Sequence, residues 1–134
     1  MANALNKSAL IKEALKARER AVAPYSKFKV GAALLTREGV VITGANVESA
    51  SYGLTCCAER VALFKALTEG HERFAAIAVV ARAPGAPMPC GACRQLLAEY
   101  APQARVWVAD SRKPRQIKEF SVRELLPHAF LDVP

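Results

Sequence analysis

The four cysteines of this chain fall in two places, Cys56 and Cys57 in "TCCAER" and Cys90 and Cys93 in "PCGACRQLL". Both places open a segment with helical apolar spacing. The first turn of a helix carries N–H groups without intrahelical acceptors and the positive end of the dipole. A thiol held there shifts toward thiolate, the form that binds metals. Cys90 and Cys93 stand three apart on one face of an opening turn, so their sulfurs can reach one ion. Pro89 sets the backbone just before them. Cys57 can supply a third sulfur if the two helix starts meet. Zinc takes thiolate sulfur and prefers four tetrahedral ligands; three from the protein leave one position open, the mark of a catalytic site. The pattern alone leaves other readings standing. A C-x-x-C pair also serves redox chemistry or a zinc knuckle. Free cysteines are often buried filler, and a four-sulfur site would recruit Cys56, although adjacent residues seldom aim both side chains at one ion.

The elements that must position these residues can be read from apolar periodicity. Residues 8–21 predict a helix with Ser8 as N-cap, ended before Pro24. "FKVGAALLT" (28–36) and "GVVITGANV" (39–47) predict an antiparallel hairpin, with Gly39 free to take positive φ in the "REG" turn. Residues 57–70 predict a helix stopped by Gly70. "FAAIAVVAR" (74–82) is an unbroken apolar run, the pattern of a buried strand. A proline-rich loop (83–89) delivers the chain to a helix over 90–101. Residues 104–110 predict a strand, 116–121 a short edge strand, and "SVRELLPHAF" a short C-terminal helix and tail. This order predicts one α/β domain over 1–134, its sheet covered by helices on both faces. Strands joined through helices are expected to be parallel neighbours. Such neighbours would bring the two helix starts together at their carboxyl ends.

Composition narrows the function classes. The chain has 134 residues, 52% apolar and 23% charged, a globular balance that can bury a core without disulfides. No apolar run approaches the ~20 residues that span a bilayer, and the N-terminus lacks a signal-peptide pattern. The expectation is a cytoplasmic protein whose thiols stay reduced. The net charge is +7. Yet the basic residues scatter, Lys12, Lys16, Arg18 and Arg20 early and Arg112, Lys113 and Arg115 late, with no aromatic-interleaved stripe. A small-molecule partner is therefore expected, with neither nucleic acid nor membrane.

Glu59 follows Cys57 by two. Alone, a first-turn glutamate is explained by the helix dipole. Beside "PCGAC" it completes the ligand-x-Glu…Pro-Cys-x-x-Cys signature of zinc deaminases, here with cysteine as first ligand. With "YSKFKVGAAL" (25–34), "GANVESASYGLTCCAER" (44–60), "PCGACRQLL" (89–97) and "ELLPHAF" (124–130), the chain resembles the small homotetrameric cytidine deaminases nearly end to end.

That resemblance implies a three-layer α/β/α sandwich with a mixed sheet of about five strands. It implies hydrolytic deamination of cytidine and 2′-deoxycytidine to uridine and 2′-deoxyuridine in pyrimidine salvage, in a tetramer whose sites lie at subunit interfaces. It assigns one zinc per subunit to Cys57, Cys90 and Cys93, and proton transfer to Glu59. Arg60 is expected to donate to the cysteine sulfurs, and Gln95 to steady Arg60. Asn46 and Glu48, at i and i+2 of a strand and so on one face, map onto the ribose-binding pair. Phe28 packs on the base, the backbone N–H of Ala58 meets its O2, and Tyr52 and Phe130 approach a neighbouring subunit's site. Cys56 receives no role. A related cytosine nucleoside such as blasticidin S is the alternative substrate, and "NVE" at 46–48 argues against it. A nucleic-acid cytosine deaminase is disfavoured by the short chain and the missing histidine ligand. A non-catalytic zinc protein would leave Glu59, Asn46 and Glu48 without a joint purpose.

Overall fold

The first helix, α1 (Lys7–Arg18), starts one residue before the predicted point because Asn6, not Ser8, is its cap. The Asn6 side chain accepts the Ala9 N–H at 2.8 Å, satisfying one orphan donor of the first turn. The helix stops at Arg18 rather than 21. The chain must leave it there so that Val22 can bridge Val47, with Val22 N–H on the Asn46 carbonyl and Glu48 N–H on the Val22 carbonyl, both at 2.9 Å. The computed structural model describes residues 6–132; the two ends of the 1–134 domain reading lie outside the described residues.

Strands β1 (Val30–Thr36) and β2 (Val41–Ala45) form the expected antiparallel hairpin. Its turn places Gly39 at φ +98°, where an L side chain would be strained. Both strands are shorter than predicted, so Phe28, Asn46 and Val47 stand just outside them. Then follow α2 (Ala58–Thr68), β3 (Phe74–Ala81), α3 (Gly91–Tyr100), β4 (Arg105–Asp110), β5 (Lys118–Ser121) and α4 (Val122–Leu125). The sheet order is β2-β1-β3-β4-β5. Only β3 and β4 pair in parallel.

One topological expectation is corrected here. β3 and β4, joined through α3, are parallel neighbours. β2 and β3, joined through α2, are not, because β1 lies between them. The reason is burial. β1 is buried at every position from Gly31 to Thr36, so it needs a layer on each face and a strand on each side. β2 alternates buried with half-buried positions and fits an edge.

The strands alternate between two cores with the period of the pleat. Leu34, Ile77, Val79, Val106 and Val108 pack beneath α2, α3 and α4 with Leu63, Leu97 and Leu125. Ala33, Leu35, Ala78, Val80 and Trp107 face α1 through Leu10, Ile11 and Ala14. These are the three layers of an α/β/α sandwich. Helix α2 lies unusually close to β2. A Cβ at Gly44 would stand 2.5 Å from the Ala62 nitrogen and 2.7 Å from the Ala58 carbonyl oxygen.

Gly44→Ala is therefore expected to force α2 away from the sheet and to destabilise the protein by about 1–3 kcal/mol, the usual cost of overpacking. Gly53→Ala has nothing within 4 Å of the new Cβ and is expected to stay within about 0.5 kcal/mol of the parent. Equilibrium denaturation of the two variants checks the pair; equal stabilities would contradict the close approach.

Candidate metal centre and active site

Cys57 is the N-cap residue of α2, and Cys90 is the N-cap residue of α3. Each has extended backbone, and neither uses its side chain to cap. Cys93 sits one turn into α3, buried to 1% exposure. The two helix starts meet although the strands that feed them are not neighbours. β2 and β3 run in the same direction on either side of β1, so their carboxyl ends lie at one end of the sheet.

The sulfurs of Cys57 and Cys90 are 3.8 Å apart and those of Cys90 and Cys93 3.6 Å. All three lie within 4.8 Å of one another. These spacings exclude a disulfide, whose S–S bond is about 2.05 Å. They match sulfurs on a tetrahedral zinc, which at bonds of ~2.3 Å stand roughly 3.8 Å apart. The donor set therefore fits zinc. Cys56 is outside it: its backbone is paired on both sides with Val47, at 2.8 and 3.0 Å.

The thiols are electrostatically unlike. A hydrogen bond from the Cys93 thiol, helped by Arg60 and Cys90 against the opposing effect of burial, lowers Cys57 to about 5. The same hydrogen bond, with burial and the nearby negative groups, drives Cys93 far above the ordinary thiol value. The trio thus binds protons unevenly, least readily at Cys57 and most readily at Cys93.

Cys57 and Cys90 open on a cavity of about 270 Å³ that also meets Phe28, Asn46, Glu48, Ala58, Glu59 and Met88. Glu59, 6% exposed, is pushed up to about 7, chiefly by burial and then by the charge at Cys57. A carboxyl balanced near neutrality can accept and return a proton. Arg60 donates through Nη2 to the Thr55 carbonyl at 2.9 Å and lies 3.8 Å from the Cys57 sulfur. It meets one cysteine sulfur, and its Nε is buried without a partner. A larger depression of about 470 Å³ beside Asp110 and Arg112 includes none of these groups.

Asn46 and Glu48 both line the cavity, but not from a strand. β2 ends at Ala45. The Asn46 side chain accepts the Val30 N–H and donates to the Phe28 carbonyl, each at 2.8 Å, and so shapes the lead-in to β1. Glu48 accepts from the N–H groups of Tyr25 and Ser26 at 3.0 and 3.1 Å and from the Ser26 hydroxyl, bonds that hold its carboxyl below the usual range. Ala58, at the first helical position, has an N–H without an intrahelical acceptor.

Three expected positions stand apart from the cavity. Tyr52, 86% exposed, lines an adjoining depression of about 250 Å³ with Tyr25, Ser26, Glu48 and Thr55. Phe130 is 64% exposed. Gln95 donates to Glu99 at 2.9 Å and to the Phe130 carbonyl at 2.8 Å, and it accepts no bond from Arg60, which donates to the Thr55 carbonyl instead. From its place on α3 it reaches the C-terminal tail. Sequence reasoning missed Thr55, which anchors Arg60, and Val30, Val79, Pro87 and Met88 in the cavity wall. The proline-rich run before Cys90 was the available signal for the last two.

Fold and site together define an α/β/α protein with a three-cysteine zinc site and a buried carboxyl beside it. Residues 5–109 match the family model described as the cytidine and deoxycytidylate deaminase zinc-binding region. A cytidine deaminase of Halalkalibacterium halodurans is 54% identical over 94% of this chain and 95% of its own. One from Sporosarcina psychrophila is 49% identical over 90% and 88%. The crystal structure of cytidine deaminase from Burkholderia pseudomallei superposes with a TM-score of 0.90 at 50% identity, covering 94% of this chain and all of that one. The chain belongs to the cytidine and deoxycytidylate deaminase family.

Metal binding requires thiolates, so zinc loading of the reduced, metal-free protein at pH 7 is expected to release protons, in part from Cys93. Zinc affinity is expected to fall further as pH drops through about 5, where Cys57 takes up its proton. An indicator dye in weak buffer reads the first effect and chelator competition the second. A proton-silent titration would be the contrary result.

Proposed function

We propose that this protein is a cytidine deaminase that converts cytidine to uridine with water and releases ammonia, and that it treats 2′-deoxycytidine in the same way. The observation that carries this reading is the shared cavity: a buried glutamate poised near neutrality opens on the same small space as two of three clustered cysteines. Zinc held by Cys57, Cys90 and Cys93 supplies a Lewis acid that makes water nucleophilic near neutral pH. Glu59 takes a proton from the attacking water, passes it to N3 of the base, and then helps protonate the amine leaving C4. Burial suits it to both tasks, since its affinity for the proton lies near working pH.

The remaining residues hold the nucleoside. Phe28 packs on the base, and the free N–H of Ala58 meets O2. Glu48 and Asn46 take the ribose hydroxyls, which extend toward the depression beside Tyr52. Both side chains are steadied by backbone bonds, so the sugar meets oriented groups. A site built on such bonds disfavours free cytosine, which would leave them unpaired. Arg60 offsets the charge of the thiolates. A blasticidin-S deaminase of Bacillus cereus is a more distant relative, 31% identical over 76% of the chain.

The reading extends to a homotetramer of 1–134 domains in the cytoplasm. The exposure of the large apolar residues Tyr52, Leu54 and Phe130, at 86%, 73% and 64%, supports their burial against other subunits. Among the described residues no helix is long and apolar enough to cross a membrane.

Loss of ultraviolet absorbance with cytidine, absence of change with free cytosine, and loss of activity on chelation are the expected results. No turnover by zinc-replete protein would reject the reading. Glu59→Gln is expected to keep its zinc and lose about 10²- to 10⁴-fold in kcat, the usual size of general acid–base catalysis. Light scattering coupled to size exclusion is expected to give four times the chain's 14.4 kDa; a monomeric, active protein would remove the interface from the site.

A further inference from the structure

Arg94 follows Cys93 directly in the first turns of α3. Its guanidinium reaches in two directions. Nε donates to the Pro89 carbonyl at 2.8 Å, and Nη1 donates to the Leu125 carbonyl at 3.0 Å. Both acceptors need it. Pro89 ends a loop that contains Pro84, Pro87 and Pro89, three residues without a backbone donor. Gly85 and Ala86 in that loop both have positive φ, 78° and 80°. Among the described residues no ladder of sheet or helix bonds holds the end of this loop, yet Cys90 begins there, and Pro87 and Met88 wall the cavity. Leu125 is the last residue of α4, whose final carbonyls have no intrahelical partner. The other end of α4 is fixed by a capping box of Ser121 and Glu124. Beyond α4 the chain runs to Phe130, whose carbonyl is held by the neighbouring Gln95.

We propose that Arg94 is a positioning residue, a clamp that ties the turn entering Cys90 to the end of α4. One side chain then sets both the approach of a zinc ligand and the course of the C-terminal tail that carries Phe130. The clamp rests on the reading of Cys57, Cys90 and Cys93 as zinc ligands. Lysine in its place keeps the charge but lacks the rigid planar fork by which Nε and Nη1 reach the two carbonyls at once.

The test uses zinc-loaded wild type, Arg94→Met and Arg94→Lys, each first checked for folding by circular dichroism at the working temperature. Two rates are read: transfer of zinc to a chromogenic chelator, and amide hydrogen exchange over 122–131 by mass spectrometry. Arg94→Met is expected to speed zinc transfer roughly 10- to 100-fold, the range for losing a group that orients a metal ligand, and to speed exchange in the tail as well. At saturating zinc its kcat for cytidine is expected to fall by a similar factor. Gln95→Met is expected to loosen the tail alone and to leave zinc transfer unchanged. A folded Arg94→Met with wild-type zinc transfer overturns the clamp, as does one in which only the tail loosens. If Arg94→Met does not fold, Arg94→Lys decides: both rates raised supports the clamp, and both at wild-type values rejects it. Wild-type protein that holds no zinc is a different failure, since it sinks the metal reading before Arg94 is tested.

Discussion

Two helix N-termini aimed at one spot are the constraint on which the rest of this structure depends. Cys57 and Cys90 occupy equivalent positions, each the last non-helical residue before α2 or α3. Three thiolates around a divalent cation carry a net negative charge, which opposes ionising a bound water. The positive ends of two helices offset part of it, and Arg60 beside the Cys57 sulfur offsets more. A cysteine trio of the same spacing without those dipoles would hold metal well and activate water poorly. The fold therefore contributes to the chemistry as well as to the placement of ligands.

Holding two helices at one end of a sheet demands close packing, and small residues supply it. Gly44 lets the backbone of α2 approach β2, and Ala58, Ala62 and Ala66 present α2's inner face without bulk. The price of this rigidity falls on Glu59, a carboxyl that folding removes from water. Its raised proton affinity comes mainly from that desolvation. The same burial keeps solvent from the carboxyl that the proposed reaction would use for proton transfer. In the proposed reaction, stability would be given up where a carboxyl with two protonation states in reach is needed.

The clustering of Cys57, Cys90 and Cys93, with Glu59 on the same cavity as two of them, was legible because its signal is local. Cysteines at i and i+3 after a proline, and a glutamate two beyond a cysteine, keep their geometry in any helix start. Element types were legible for the same reason. Sheet order was not: "VGAALLT" announces burial, but whether it sits between β2 and β3 depends on what covers each face, which is long-range information. The strand assigned to Asn46 and Glu48 failed at its end. The chain leaves β2 at Ala45 so that Val47 can bridge both Val22 and Cys56. The partner of Gln95 was missed because the C-terminal tail folds back across α3, 35 positions away in sequence.

Asn46 shows why a residue proposed for binding in this architecture is hard to separate from a structural one. Its amide oxygen accepts from Val30 and its amide nitrogen donates to the Phe28 carbonyl. These bonds fix the turn that presents Phe28 to the cavity, and they consume only part of the amide's capacity of two donors and two accepting lone pairs. The residual donor and lone pair are thereby aimed, since a side chain bonded on both sides cannot rotate away. Glu48 repeats the arrangement with Tyr25 and Ser26. In the proposed reading, a sugar hydroxyl arriving at these groups would meet partners whose rotamer entropy was lost on folding, which lowers the cost of ordering them on binding. Substrate affinity in such a site is set largely before the substrate arrives, by backbone bonds that hold the recognition groups still.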